Sequence, residues 1–199
     1  MPNQSEVRKT RHLAFQTLES RKLLAAGPTI YPDDAGLIQV GDYGALPDDG
    51  MDDTAEIQAA LDAAGTSNRV VFLQPGTYDV SDTLQWPAKF RRLIMEGSGA
   101  GHTTIRLSDD EAGFQDASAP KAVINTHGKE GVGQGFRNSI RGLTVDVGVG
   151  NEGAMGIAFN ANNQGSIRDV TIRSSDPEKA GARGLDLSQN GQIGPFYVS

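Results

Sequence analysis

Ser139-Ile-Arg-Gly-Leu-Thr-Val145 and Ser166-Ile-Arg-Asp-Val-Thr-Ile172 are two copies of one seven-residue phrase set 27 residues apart, with Ser, Ile, Arg and Thr identical. A second pair, Gly156-Ile-Ala-Phe159 and Gly184-Leu-Asp-Leu187, repeats at 28, as do Asn162 and Asn190. Each phrase alternates apolar and polar residues at period two, which belongs to a strand and excludes the helical repeats of similar length. A unit of 27 or 28 residues with two or three short strands suits one coil of a solenoid, whose neighbours stack about 4.8 Å apart. About six such coils fit between residues 37 and 199.

Stacking in that register divides the strand residues between two faces. Leu143, Val145, Val147, Ile157, Phe159, Val170, Ile172, Leu185 and Leu187 are expected to point inward. Thr144, Asp146, Ala158, Thr171, Arg173 and Asp186 are expected to point outward. Thr144 should lie over Thr171 and Asp146 beside Arg173, while Asn162 and Asn190 are expected in left-handed turn positions.

Composition agrees with short strands joined by turns. Among 199 residues there are 25 Gly and 9 Pro, which dilute any long helix. No cysteine is present, so disulfides, thiolate chemistry and Cys-based metal sites are excluded. A formal net charge of −7 argues against nucleic acid, whose phosphates would be repelled over most of the surface. No run of 18 apolar residues is present, so no membrane span is expected.

Ahead of the repeat, Leu37-Ile-Gln-Val40 is a strand candidate and Gly41 to Gly50 is turn chemistry. Asp53 with Glu56 forms a capping-box pattern before Ile57, Ala60, Leu61 and Ala64, which predicts a helix ended by Gly65. The acidic group Asp48, Asp49, Asp52 and Asp53 is explained by that turn and helix start without any chemistry. Val70 to Leu73, Tyr78 to Val80, Leu84 to Trp86, Arg92 to Met95 and Thr104 to Leu107 follow as strands, with Pro75-Gly76 in a type II turn. Glu96-Gly-Ser-Gly-Ala-Gly101-His102-Thr103 imitates a phosphate loop, but a strand follows it where a helix is required.

The series Val40-Gly-Asp-Tyr-Gly-Ala45, Asp49-Gly50, Asp52-Asp53-Thr54, Ile57-Gln58-Ala59-Ala60, Val71-Phe72, Pro75-Gly76-Thr77-Tyr78, Glu96-Gly97-Ser98-Gly99 and Thr104-Ile105 resembles the opening of the pectate-lyase-like superfamily. It resembles in particular the branch that holds rhamnogalacturonase, endopolygalacturonase and phage tailspike depolymerases. Gln74 departs from it, standing where that family usually has proline. The resemblance implies an all-β fold, a right-handed parallel β-helix with one N-terminal capping α-helix. With Ile193-Gly-Pro-Phe-Tyr-Val198 still strand-like and no polar cap in view, the chain is expected to be the N-terminal portion of a longer solenoid.

Residues 1–27 are basic where the remainder is acidic, and are read as a targeting-like segment. Phe15-Gln-Thr-Leu18-Glu19-Ser20-Arg21-Lys22-Leu23-Leu24 resembles the L-E-P-R-x-L-L motif near the start of many exported bacterial surface proteins, with Ser20 replacing its proline. Export to the extracellular space or cell surface is the expectation. Residues 28–36 read as a linker and 37–199 as the β-helix domain.

The resemblance implies a polysaccharide partner and a lyase or glycoside hydrolase acting on pectin-like or other acidic polysaccharide; the alternative is a noncatalytic binding or adhesion stalk. Elimination needs a cation or Arg/Lys beside the uronate carboxylate plus a base, and hydrolysis needs two carboxylates at a set separation. The outward candidates are Asp146, Arg173 and Asp186 for catalysis, with Thr144, Thr171 and Asp169 for substrate contact; Glu152 lies in a loop. The plainer and favoured reading of Asp146 with Arg173 is a surface ion pair worth about 0–1 kcal/mol. The family's catalytic residues usually lie on later coils, so this chain is expected to be inactive alone although the intact protein is expected to be an enzyme. His12, His102 and His127 are isolated; no metal site is assigned, and Ca2+ stays open as a bridging cation.

Overall fold

The computed structural model describes residues 27–64, 67–87, 91–127, 135–188 and 196–198. Coil one consists of β2 (Ser67–Leu73), β3 (Gly76–Val80) and β4 (Leu84–Gln85). Coil two consists of β5 (Arg91–Gly97), β6 (Thr103–Leu107) and β7 (Lys121–Asn125). Coil three is β8 (Ser139–Asp146) and β9 (Ala154–Ala158), and coil four is β10 (Gly165–Arg173) and β11 (Arg183–Asp186). A short β1 (Ile38–Gln39) stacks on β2, and β12 (Phe196–Val198) stacks on β10. Every pairing between these strands is parallel, in two sheets.

Each coil has three limbs. In coils three and four the first two limbs are one long strand, bent at Gly142 (φ +65°) and at Asp169 (φ +50°). In coil two the same corner is opened by the Ser98–His102 turn, so β5 pairs with the front of β8 and β6 with its end. The third limb comprises β4, β7, β9 and β11. Thr77 pairs with Thr104 and Thr144 with Thr171, each 27 residues on, but Thr104 pairs with Thr144 after 40. That longer step corrects the expected six coils to four among the described residues. Coil two carries the excursion from Ser108 to Pro120 and another loop after β7, whose residues 128–134 lie outside the described set.

Stacking like on like builds the core. Tyr78, Ile105, Val145 and Ile172 form one inner ladder, and Val71, Met95, Ile140 and Ile167 another. Ile124 and Ile157 stack on the third limb, fully buried, and Trp86, Phe114 and Phe159 are buried in the same core. Each such side chain contributes about 1.5–3 kcal/mol by leaving water. Val170, Ile172, Leu185 and Leu187 point inward as expected but are only partly buried, because they lie on coil four. Opposite Ile172, Gly156 faces the interior: a Cβ there would overlap Ile172 Cγ2 and approach the Gly184 carbonyl to 2.8 Å.

Among the described residues one α-helix, α1 (Thr54–Ala63), packs Ile57, Ala60 and Leu61 against the first coil. Its expected capping box is corrected. Asp53 makes no cap bond from its side chain; Asp52 Oδ1 instead accepts from the Thr54 amide at 3.0 Å. The helix closes on Ala64, and Gly65 is outside the described residues. Of the strand expected over Leu37–Val40, only Ile38–Gln39 is extended; Val40–Tyr43 is a 3-10 helix. Thr103–Leu107 is a strand, so the phosphate-loop reading stays rejected. Asn162 is not left-handed; its neighbours Asn163 (φ +43°) and Gln164 (φ +75°) are, and Asn190 falls outside the described residues.

The segment read as a linker rests on the first limb. The Thr29 amide donates to the Ser98 carbonyl at 2.8 Å, the Tyr31 ring meets Phe72 edge-on at 4.9 Å, and Tyr31 Oη donates to Glu96 Oε1 at 3.2 Å. The export-like stretch within residues 1–26 lies outside the described residues.

Candidate functional site

The second limb repeats a threonine and a charge in every coil. Thr77, Thr104, Thr144 and Thr171 stack in one outer row, and Asp79, Arg106, Asp146 and Arg173 in the next. Opposite charges therefore alternate from coil to coil. Arg106 Nε lies 3.9 Å from Asp79 and its Nη2 3.2 Å from Asp109, while Arg173 Nε lies 2.7 Å from Asp146 Oδ2.

A groove of about 410 Å3 opens along these rows, lined by Thr77, Thr104, Arg106, Asp146, Arg173 and Ser175 among others. Asp146 forms its floor. Its side chain is 2% exposed, and besides Arg173 it accepts from the Gly148 amide at 3.1 Å and the Ser175 amide at 3.0 Å. Burial alone would raise its pKa, but the bonds from Arg173, Gly148 and Ser175 together hold it below the usual carboxylate value. Such a group stays ionised and has its lone pairs committed, which makes it a poor general base. Arg173 is the opposite case: its side chain is 58% exposed, fixed through Nε, and lines the groove.

The expected proximities of Asp146 to Arg173 and of Thr144 to Thr171 are thus found, but the expected exposure is not uniform. Thr144 is 3% exposed because the Ser98–His102 turn folds over it; its hydroxyl donates to the Ala100 carbonyl. Asp169 accepts from the Ala100 amide at 3.3 Å. These two of the substrate-contact candidates therefore hold a loop of their own chain, whereas Thr171 is exposed.

Asp186 sits on the third limb, away from the threonine rows, in register with Ala158. It accepts from the Ser188 amide at 2.8 Å and from Arg183 Nη1 at 3.0 Å. Those partners, Ser188 first, keep its pKa low. Glu152 is exposed in the turn before β9.

From coils one and two, Thr77, Thr104 and Arg106 line the groove, with Asp79 beside Arg106, and these escaped the sequence reading. Their signal was present: Thr77-Tyr-Asp-Val80 and Thr104-Ile-Arg-Leu107 repeat at the same offset of 27. At the cap, Asp53 is a buried carboxylate of another kind. Its Oδ1 accepts from the Leu46 amide at 2.9 Å and its Oδ2 has no partner. Burial pushes its pKa up to about 6, against the Leu46 bond and with the charges of Asp49, Glu56 and Asp79 adding to the rise.

Among the described residues no group of three or more His, Asp or Glu is placed to hold a metal ion. His127 Nδ1 is taken up with Asn160 Nδ2 at 2.6 Å. No described helix is long and apolar enough to cross a membrane.

A family model described as rhamnogalacturonase A/epimerase, pectate lyase-like, matches residues 37–194, and one described as planctomycete extracellular matches residues 10–28. Mannuronan C5-epimerase AlgE4 of Azotobacter vinelandii is 32% identical over 157 residues, 74% of this chain and 27% of that protein. AlgE3 of the same organism is 30% identical over 173 residues, 82% of this chain and 9% of that protein. The chain thus spans about a quarter or less of these relatives' length. Among solved structures, ORF18 of Geobacillus virus E2 superposes with a TM-score of 0.53 at 18% identity, over 68% of this chain and 25% of that one, a likeness of fold alone.

Proposed function

Because the chain belongs to the rhamnogalacturonase A/epimerase, pectate lyase-like family, we propose that it is the front portion of an exported, carbohydrate-active, right-handed parallel β-helix that engages a uronate-bearing polysaccharide. The observation that carries this reading is Arg173, held through Nε by buried Asp146 and exposed in a groove lined by hydroxyls. A planar guanidinium fixed at one edge is suited to pair with a sugar carboxylate, and Thr77, Thr104 and Ser175 offer donors and acceptors to ring hydroxyls. Likeness to mannuronan C5-epimerases and to pectate-lyase-like proteins supports removal of the proton beside that carboxylate as the whole protein's chemistry, a step that epimerases and lyases share.

The groove itself supplies charge neutralisation and orientation. Asp146, saturated and ionised, is unsuited to take the proton, and among the described residues that line the groove it is the one carboxylate, where hydrolysis would require two. Hydrolase chemistry is therefore the weaker branch, and the base is to be sought outside this groove. The same saturation favours a second reading, a noncatalytic binding stalk. Calcium would have to be held largely by the polymer's own carboxylates, since the described residues offer no cage for it, and no step is routed through it. The match of residues 10–28 to the planctomycete extracellular model supports export.

The test is to incubate the full chain with mannuronan, polygalacturonate and a neutral glucan, with and without calcium. Co-sedimentation reads binding, ultraviolet absorbance reads unsaturated ends, and proton NMR reads inversion at C5. Retention on the uronate polymers without turnover is expected. Retention on the glucan alone would overturn the reading.

A further inference from the structure

The outer face of the first limb carries a different charge row from the groove. Phe72, Glu96, Arg141 and Arg168 stack there in successive coils. Glu96 is the single acid in that row and is doubly engaged, by Arg141 Nη2 at 2.6 Å and by Tyr31 at 3.2 Å. Arg168 comes next, exposed and directly over Arg141, with no carboxylate paired to it among the described residues. Arg137, at the entrance to the same limb of coil three, is exposed and likewise has no acidic partner among the described residues. Arg141 Nε is buried without a partner. The acid beside Arg168 in sequence, Asp169, lies at the corner and bonds the Ala100 amide.

Two arginines stacked one strand spacing apart, about 4.8 Å, repel each other unless an anion lies between or across them. In a chain of net charge −7, this local excess of arginine runs against the general balance. From this we infer that Arg137, Arg141 and Arg168 form an anion-binding strip, separate from the groove, for the carboxylates of a linear uronate polymer lying along the solenoid axis. The inference rests on the proposed function for its substrate class and goes beyond it in assigning a second contact face. Guanidinium forks match carboxylates edge to edge, so exposed arginines along this limb can each take a carboxylate of an extended polymer. Tyr31 on Phe72 and Glu96 closes the strip toward coil one, and the buried Ser139–Ser166 hydroxyl pair at 2.9 Å lies one row away. Arg141, braced by Glu96, acts as the fixed point, and Arg168 and Arg137 as the exposed contacts.

The experiment measures binding of the full chain to oligomannuronate and to polygalacturonate at low and high salt, for wild type and for Arg168→Gln, Arg137→Gln and the double variant. Both positions lie at the surface, so a thermal scan should show unchanged folding. Each single substitution is expected to weaken binding about tenfold, the size of one lost charge-assisted bond, and the salt dependence should flatten in the double variant. If wild type binds uronate polymers and the double variant binds equally well, the strip is overturned while the proposed function stands. If wild type binds none, both fall. If a sulfated neutral glucan binds as tightly and loses as much in the variants, the carboxylate assignment is overturned.

Discussion

Asp53 in the cap and Asp146 in coil three are both buried aspartates, and their environments move them in opposite directions. Asp146 meets a guanidinium and two backbone amides; Asp53 meets one amide and a set of other acids. Burial disfavours the charged form at both sites, so the sign of the shift is decided by what faces each oxygen. Asp146 is answered by a cation one coil away, whereas at the cap the Asp53 amide reaches the Asp79 carbonyl at 2.8 Å and the side chain one coil away is another acid.

Asp146→Ala tests the answered site and should have the largest effect. It strands the Gly148 and Ser175 amides and the Arg173 charge, with an expected loss of about 3 kcal/mol in urea unfolding at neutral pH. Because the folded pKa of Asp146 is depressed, its contribution is present above the unfolded pKa and lost as pH falls through the folded one. The gap between wild type and variant should therefore close on acidification.

Asp53→Asn tests the unanswered site, and the pH dependence should invert. With its folded pKa raised to about 6, Asp53 favours the fold while protonated, and that stability declines as pH rises from the unfolded pKa through about 6. The amide variant should gain about 1–2 kcal/mol at mildly alkaline pH and little where Asp53 is already protonated. An equal gain at all pH values would show that packing and not charge is responsible. Arg173→Gln should be the mildest. Its side chain is largely in solvent and Asp146 keeps two amide donors, so about 0.5–1 kcal/mol is expected from the same unfolding curves, alongside weaker retention on uronate polymers.

The register of coils three and four was legible because Ser139–Val145 and Ser166–Ile172 have equal length and matching residues, and equal length forces like over like. Asp146 beside Arg173 followed from that alone. The coil count was not legible, since the excursion from Ser108 to Pro120 has no periodicity to reveal where it returns to the stack. Nor was the burial of Asp146 and Thr144, which depends on Ser175 and Ala100, loop residues whose paths are set by tertiary contacts. The capping box failed for a related reason. Asp53 had the right spacing, but the Leu46 amide competed for its side chain and Asp52 bonded the helix start instead.

Gly156 facing Ile172 has a further bearing on how such a rod could be lengthened. The bore between opposite walls has room for one bulky residue where a glycine stands across from it, so calibre is set by complementary sizes and not by either wall alone. Inserting a duplicate coil would keep a constant diameter only if large and small residues were copied together; changing one partner would make the rod flare or pinch at that level.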